Sequence, residues 1–501
     1  MLAAQVLGWL AFCAYRMWQA VVAPPAVWQD SDSYHAVAHN PLLSAGMWTG
    51  SRPPVVPLLL KVVSFPSYVV LQAAVGCVAW GLAAWMVSRL VRPGWERVAA
   101  TWAVLGFASA TLVVQWDWSV LSESLSLSVL ALLGASSLWL VRRFTFLRLV
   151  AVALCALAFV GLRDEDIWSV ALAGVGVLAV AMVGILRGVA LESSSLRQSF
   201  GRRWHAYRHW VLTGVTLIAV ATAAELAANA SHRNVLNVEH ALEVRIFPFP
   251  DRTTWFGNHG MPNAGDVIAL SRNAPPGGPG AGTVVAPDLN EPKWAGLRTW
   301  FDTRGEATYV QWLIMHPGYD VTAPFASPPL TFNNAMGDLT FYRPLGHQNL
   351  ALLDTVFVPN HVVVIFLAAA ALVLVSARRR WRPPEWRFLV AFTAIGLVSM
   401  LLAWHGDGEE VTRHMVEGNV EVRLGVLVLL LVAVLGPGAN GRTKLGHEAQ
   451  PVPATPPAQQ VAAETVHADA AAPPPVHASA HTPLWRTPPS SQPPAAPGQK
   501  A

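Results

Sequence analysis

Long apolar segments recur along most of the chain, and they constrain its fold more than any other feature of the sequence. A helix that crosses the hydrocarbon core of a bilayer needs about 20 mostly apolar residues. Segments of this kind lie at 2–22, 67–88, 98–115, 119–141, 148–163, 167–187, 210–230, 359–377, 388–404 and 422–436. They predict an all-α polytopic membrane protein with about ten transmembrane helices. The apolar run 55–63 is too short to span, and it predicts an interfacial or re-entrant helix.

The composition agrees with this class. Hydrophobic residues make up 53% of the 501 residues and charged residues only 13%, whereas a soluble domain has about 25% charged residues. The segment 2–22 is too long for a signal peptide and lacks a cleavage site, so we expect it to be the first span. The three cysteines fall in predicted spans, and we expect neither a disulfide framework nor a zinc site.

Basic residues predict the orientation, because short loops rich in Lys and Arg stay on the cytoplasmic side of the membrane. Arginines cluster in the connectors 89–97, 142–148, 187–208 and 378–387. With ten spans, these connectors and both termini fall on one side, which we predict to be the cytoplasmic side of the plasma membrane. The segments 23–66, 231–358 and 405–421 are then external. Since the arginines follow the loops and the net charge is only +4, we expect lipids and no nucleic acid as partners.

The first external loop carries the strongest candidate site. Asp30 and Asp32 lie two residues apart at the membrane edge, and Tyr34 completes the register Asp-x-x-x-Tyr. Asp30 or Ser31 is also suited to cap the next helix. A cap needs one short polar residue, however, and here four follow one another. Because charged groups near hydrocarbon are costly and tend to be functional, we predict a catalytic loop at the mouth of a membrane-embedded cavity.

Charged residues in two further external connectors are also candidates. Asp117 is expected at the external surface, and Glu123 just inside the next helix. Glu123 either stabilises the positive end of the helix dipole or faces the cavity. Arg163 lies in the turn 161–166, whose acids suit a helix start, and the alternative is that Arg163 faces a lipid phosphate.

The last external loop contains Glu410, Arg413 and His414 at a spacing that puts them on one helical face or on adjacent faces. Arg suits a phosphate through paired hydrogen bonds, and His adds a donor. The alternative is a solvated Glu–Arg pair. Because this loop and the Asp30 loop share a membrane face, we predict that both contribute to one site.

The rest of the chain divides into a lobe and a tail. Residues 231–358 are predicted to form a small irregular or α-helical lobe packed on the bundle, and within it His316 ends a helical run before a proline. The transmembrane domain is expected to end near residue 436. Residues 437–501 are rich in Ala, Pro, Gln and Ser, and they predict a disordered cytoplasmic tail.

These motifs resemble the GT-C superfamily, whose membrane glycosyltransferases use sugars linked to polyprenyl phosphate. The superfamily includes protein O-mannosyltransferases, aminoarabinose transferases acting on lipid A, and arabinosyl- and mannosyltransferases of envelope glycans. The matching segments are Asp30-Ser31-Asp32-Ser33-Tyr34, Gly50-Ser51-Arg52-Pro53-Pro54, the apolar 57–60, Ser122-Glu123, the segment 312–319 and Arg413-His414. One departure is Ser31, which stands where many relatives have glutamate, so the choice of aspartate for the base stays open.

The resemblance implies transfer of a sugar to an envelope glycan, lipid or protein, with Asp30 as general base and Asp32 as a metal ligand or an orienting group. It implies that Arg52, Arg413 and His414 hold the donor phosphate. Further cavity candidates are Tyr34, Glu123, Arg163, Glu410 and His316. A divalent cation, Mg²⁺ or Mn²⁺, is left open as a cofactor, with Asp32 and Glu123 as its candidate ligands. Two other classes stay open: a transporter or flippase of lipid-linked sugars, and a non-catalytic envelope assembly protein.

Cysteine labelling tests the predicted orientation. We expect Ser33→Cys, Gly278→Cys and Gly408→Cys to react with an impermeant thiol reagent in intact cells, because these positions lie in predicted external loops. Ser490→Cys should react only after the cells are opened. The unaltered chain, whose three cysteines lie in predicted spans, sets the background. Labelling of Ser490→Cys alone would reverse the orientation.

Overall fold

The computed structural model describes residues 1–22, 24–191, 196–231, 233–273, 284–326, 351–377, 384–406 and 411–436. Over these ranges the regular structure is helical and contains no β-strand. A single β-bridge joins Ala26 to Ser119. The all-α class predicted from the sequence is therefore confirmed. The predicted tail, residues 437–501, lies outside the described ranges.

The helices are numbered in chain order. They are α1 (Leu2–Val21), α2 (Gln29–Ala38), α3 (Ala45–Trp48), α4 (Val55–Leu60), α5 (Phe65–Ser88), α6 (Trp95–Ala108), α7 (Thr111–Val114), α8 (Glu123–Arg142), α9 (Phe146–Val160), α10 (Asp166–Leu191), α11 (Leu196–Ala230), α12 (Arg233–Arg245), α13 (Pro250–Asn258), α14 (Ala264–Asn273), α15 (Ala295–Trp300), α16 (Glu306–Met315), α17 (Pro317–Ala326), α18 (Ala351–Phe357), α19 (His361–Ala377), α20 (Pro384–Gly406), α21 (Val411–His414) and α22 (Val416–Leu435). A 3-10 turn at Pro292–Trp294 precedes α15, and a π-helical turn at Phe301–Gly305 joins α15 to α16.

Six of the described helices are long and apolar enough to cross a membrane. They comprise α5, α8, α20, α22 and the apolar parts of α10 and α11. Each coincides with a segment predicted from the sequence, so a multi-pass membrane protein is supported. The predicted count of about ten spans is not confirmed, and three of the other segments are shorter than expected. The helix predicted at 98–115 stops at Ala108, because the backbone is extended at Ala110. Helix α9 has 15 residues, and α19 begins at His361 and has 17 residues.

Helices α5, α8 and α22 form the centre of the bundle. In the most apolar stretch of each of these three helices, 56%, 61% and 67% of the residues are buried. The corresponding share is 28% for both α10 and α11. Trp80 and Tyr68 of α5 are fully buried and belong to the same apolar cluster as Phe107 of α6. A helix that is apolar on all sides but buried on one side suits a position between the bundle and lipid. The composition of α10 and α11 therefore fits the periphery of a membrane bundle.

The connector between α7 and α8 is buried inside the bundle, although its polar residues predicted a surface position. The Arg16 guanidinium of α1 contacts both carboxylate oxygens of Asp117 at 2.7 Å, and both side chains are fully buried. Ser124 donates to the same carboxylate at 2.5 Å. The prediction that Asp117 lies at the external surface is therefore wrong. Asp117 is buried because it forms an ion pair with Arg16, which lies 101 residues away in the chain.

Gln72 of α5 holds the backbone of this connector. Its side-chain amide nitrogen lies within hydrogen-bond distance of the carbonyls of Trp116, Asp117 and Ser119, at 3.0, 2.8 and 2.9 Å. Gly76, one turn along α5, leaves room for Arg16, since a Cβ there would collide with the guanidinium. Irregular backbone inside a bundle is tolerated only where protein groups satisfy its hydrogen bonds. These side chains therefore make the buried connector possible.

The described part of the segment between α11 and α18 forms a helical lobe with its own apolar core. Phe247, Phe256, Trp294 and Trp300 are among the buried residues of that core. The lobe contacts α20 through Tyr309, whose hydroxyl donates to the carbonyl of His405 at 2.9 Å. The sequence predicted such a lobe packed on the bundle. The residues 327–350 lie outside the described ranges.

The Arg16–Asp117 pair predicts the effect of removing one charge. Arg16→Met leaves the buried Asp117 carboxyl without its partner, and breaking a buried pair in this way costs about 3–5 kcal/mol. We expect a corresponding fall in the thermal unfolding midpoint of the purified protein in detergent. The double variant Arg16→Met/Asp117→Asn should recover much of the loss. Arg298→Met, at an exposed position of α15, is the control, and an Arg16→Met variant as stable as that control would contradict the expectation.

Candidate functional site

Ionisable side chains from five separate parts of the chain meet at the end of the bundle where α8, α10 and α22 begin. We call this group the ionic cluster, and its members are Asp30, Arg52, Glu123, Arg163, Glu165, Arg413, His414 and Glu417. Six of the eight were candidate site residues in the sequence. The structure brings the first and last predicted loops together, as their shared membrane face predicted.

Helix α2 presents Asp30 to the cluster. The helix begins after Trp28, whose backbone N–H donates to the Ser31 hydroxyl at 3.0 Å. Ser31 in turn donates to the carbonyl of Val120 at 2.7 Å, which fixes α2 on the buried connector. Ser31 therefore supplies the cap contact, and Asp30 lies in the first turn of α2 with its carboxylate toward the arginines.

The Asp30 carboxylate is held between two guanidinium groups. Nη2 of Arg413 lies 2.7 Å from Oδ2 of Asp30, and Nη2 of Arg52 contacts Oδ1. Arg52 also donates from Nε to the Ser33 hydroxyl at 2.7 Å. Burial alone works to raise the pKa of Asp30, but Arg413 and Arg52 outweigh it and hold that pKa below its ordinary value. Asp30 is therefore an ionised carboxylate at neutral pH.

Glu123 and Arg163 form the buried half of the cluster. Glu123 is fully buried at the first position of α8, where its Oε1 accepts from Nε of Arg413 and lies 3.2 Å from Nη1 of Arg163. The same Nη1 lies 3.0 Å from Oε1 of Glu417. Both alternatives for Glu123 thus hold geometrically, since it starts a helix and also faces the cluster. Buried charges of this kind persist only when they are paired.

The turn between α9 and α10 brings Arg163 to Glu165 and His414. Nδ1 of His414 lies 2.5 Å from Oε1 of Glu165, and Nε of Arg163 lies 3.4 Å from Oε2. Burial works to raise the pKa of Glu165, but His414 and Arg163 outweigh it and place the pKa well below its ordinary value. Burial likewise disfavours the charged Arg163, yet Glu417, Glu165 and Glu123 raise its pKa. Arg163 thus lies in the turn that leads into α10, as the helix-start alternative predicted, and its side chain contacts carboxylates. That it faces a lipid phosphate stays a prediction.

Tyr34 is buried beside the cluster. Its hydroxyl donates to the Ser122 hydroxyl at 3.2 Å, and the Arg52 guanidinium lies 5.3 Å from its ring centroid. Burial and the Glu123 carboxylate raise the pKa of Tyr34 to about 12. The phenol therefore stays protonated and serves as a hydrogen-bond donor between α2 and the start of α8.

Three of the sequence candidates are not part of the cluster. Asp32 is exposed on another face of α2. His316 lies in the lobe, with its ring stacked 4.9 Å from Trp312 and its Nδ1 2.7 Å from the carbonyl of that residue. Glu410 falls outside the described residues.

The residues present do not fit the proposed divalent cation. Within the described ranges no three His, Cys, Asp or Glu side chains are placed to hold a metal ion together. Of the two candidate ligands, Glu123 contacts two arginines, and Asp32 is exposed on α2.

Sequence reasoning missed two members of the cluster. Glu417 follows Arg413 by four residues, a spacing that marks neighbours on a helix, but the chain changes from α21 to α22 between them. Glu165 was assigned only to a helix start. Arg233 was also missed, and it ties the lobe to the same turn, since its Nε and Nη2 lie 2.7 and 3.0 Å from the Asp164 carboxylate.

Comparisons with models of known protein families and with curated proteins find no match to this chain.

The lowered pKa of Glu165 predicts a pH-dependent stability. A group with a lowered pKa in the folded protein stabilises it fully above the ordinary pKa, which is about 4.3 for Glu, and loses this effect as the pH falls through the folded-state value. We expect Glu165→Gln to lower the thermal unfolding midpoint at pH 7. The difference from the unaltered protein should shrink below about pH 4. Glu306→Gln, at an exposed position of α16, is the control. A difference that grows on acidification would show that the sign is wrong.

Proposed function

We propose that this protein is a membrane glycosyltransferase that moves a sugar from a polyprenyl-phosphate donor to an acceptor hydroxyl on an envelope glycan, lipid or protein. One observation carries the proposal. Asp30 of the first predicted external loop contacts Arg413 of the last one at 2.7 Å, across 383 residues of chain. An acid suited to take a proton and a cation suited to hold a phosphate therefore share one site.

The reaction assigns a role to each of these groups. The acceptor hydroxyl attacks the anomeric carbon of the sugar, and Asp30 takes the hydroxyl proton as the new C–O bond forms. The bond between the anomeric carbon and the phosphate oxygen breaks, and the polyprenyl phosphate leaves with the electron pair. Arg52 and Arg413 stabilise the charge that develops on the phosphate, because charge-assisted hydrogen bonds to phosphate are strong and paired.

The surrounding residues support this assignment by fixing Arg413. Glu123 contacts its Nε while Asp30 contacts its Nη2, so the guanidinium plane is held from two sides. Arg163 lies behind Glu123 and links it to Glu417. A site that stabilises a transition state benefits from groups that are already oriented before the reaction.

The position of the cluster suits a lipid-linked donor. The cluster lies where three apolar helices begin, so a polyprenyl tail in the bilayer and a sugar outside it meet at this level. By the distribution of arginines in the connectors, this face is the external one. The proposal takes both termini to be cytoplasmic.

A second candidate is a transporter or flippase of lipid-linked sugars. The observation that favours it is the presence of buried charged residues inside apolar helices, namely Arg16 in α1 and Glu421 and Arg423 in α22. Ionisable residues inside spans frequently mark a transport path. Purified protein in liposomes separates the two functions, because a transporter moves a fluorescent lipid-linked sugar between leaflets without an acceptor, and a glycosyltransferase consumes it only with one.

The proposed chemistry predicts the effect of single substitutions at Asp30 and its neighbours. Asp30→Asn should abolish sugar transfer by purified protein at normal expression, with a loss of at least about 10²–10⁴-fold, because Asn keeps the volume but cannot take a proton. Asp32→Asn should reduce transfer less. Arg413→Ala should weaken the use of the donor, since the phosphate loses a charge-assisted partner.

Two outcomes would change this assignment. An active Asp30→Asn together with an inactive Asp32→Asn would exchange the roles of the two aspartates. Full activity in both variants would end the glycosyltransferase proposal. Size-exclusion profiles that match the unaltered protein are required of each variant, because Arg413 also pairs with the buried Glu123.

A further inference from the structure

The two cations best placed for a donor phosphate are already occupied by the acid that is best placed as the base. Oδ1 of Asp30 contacts Nη2 of Arg52, and Oδ2 lies 2.7 Å from Nη2 of Arg413. Each carboxylate oxygen thus has its own guanidinium. A carboxylate in this position mimics the anion that the two arginines are proposed to bind.

We infer that Arg52 and Arg413 form a phosphate site that Asp30 closes in the free protein, and that the donor phosphate opens it by taking over both guanidiniums and releasing the carboxylate. The inference rests on the proposed function, because it takes the donor phosphate as the ligand. It adds that donor binding regulates the basicity of Asp30 in the same site. Asp30 becomes competent as a base only after the donor is bound, so the donor binds before the acceptor reacts.

The exposure of the side chains supports an exchange at this end of the cluster. The side chains of Arg52 and Asp30 are 31% and 19% exposed, whereas that of Arg413 is 7% exposed. An anion from outside therefore reaches the Asp30–Arg52 contact first. Arg413 stays anchored by Glu123 during the exchange, and Arg52 keeps its hydrogen bond to Ser33.

The charges explain why the phosphate displaces the carboxylate. The donor phosphodiester has two non-bridging oxygens, and its tetrahedral geometry lets each of them accept from both guanidiniums, whereas each oxygen of Asp30 contacts only one. Release also changes the basicity of Asp30. The two arginines lower its pKa in the free protein, and once the phosphate compensates their charge the carboxylate accepts a proton more readily.

Binding of farnesyl phosphate to the purified full-length protein in detergent, measured by isothermal titration calorimetry, tests the inference. Removal of a competing internal anion should raise the affinity by the reciprocal of the fraction of sites that are open in the unaltered protein. We expect Asp30→Asn to bind farnesyl phosphate on the order of tenfold more tightly than the unaltered protein. Arg52→Ala should bind it more weakly. Asp32→Asn is the matched control, because it removes the same charge from the same helix at an exposed position, and it should change the affinity less than about twofold.

Unchanged or weaker binding by a folded Asp30→Asn would overturn the inference, and so would an equal gain in Asp32→Asn, which would point to net charge alone. Asp30→Ser gives a second version of the test if Asp30→Asn does not fold. Failure of the proposed function has a different signature. The unaltered protein would then transfer no sugar, whatever the rank order of the binding constants. A protein that transfers sugar while Asp30→Asn gains no affinity would keep the function and lose the closed site.

Discussion

The contact of Arg413 with both Glu123 and Asp30 holds together the part of the protein that we assign to function. Each partner comes from a different element, since Arg413 lies in α21, Glu123 begins α8 and Asp30 lies in α2. A charge buried at the end of a membrane bundle is costly unless it is paired. The pairing requirement therefore fixes where the first and last predicted loops meet, and it brings together groups that are remote in the sequence.

The same requirement builds the support beneath the site. Arg16 and Asp117 neutralise each other inside the bundle, and Gln72 binds the carbonyls of the connector that carries Asp117. This connector in turn accepts the Ser31 hydroxyl through the carbonyl of Val120, which orients α2. The position of Asp30 thus depends on a chain of polar contacts that begins in α1. Loss of the Arg16–Asp117 pair would therefore change the position of Asp30, although no residue of the site itself is replaced.

Much of the architecture could be predicted from the sequence, because apolar length and arginine-rich connectors are local properties of the chain. The six apolar helices each coincide with a predicted segment, and short polar runs beside apolar ones marked Asp30, Glu123 and Arg413. The failures have one physical origin. Asp117 was expected at the surface and Glu417 was not noticed, because each is buried by a partner far away in the sequence, Arg16 and Arg163 respectively. The end of α6 at Ala108 was missed because the next residues include Leu112, Val113 and Val114, and because the backbone N–H of Thr111 donates to Asp354, which lies 243 residues away in the chain.

The exposed fraction of the side chains differs between two parts of the ionic cluster, a buried part that holds Arg413 and a more exposed part that contains the proposed reactive groups. The side chains of Glu123, Arg163 and Glu417 are 0%, 4% and 7% exposed, and each is paired with another member of the cluster. Those of Asp30 and Arg52 are 19% and 31% exposed, so the groups proposed to take a proton and to hold a phosphate lie on the accessible side. Arg413 stands between the two regions and contacts both. A departing phosphate needs a cation that does not move, and a proton acceptor needs contact with substrate. The cluster meets both needs because its buried half fixes Arg413 and its open half presents Asp30.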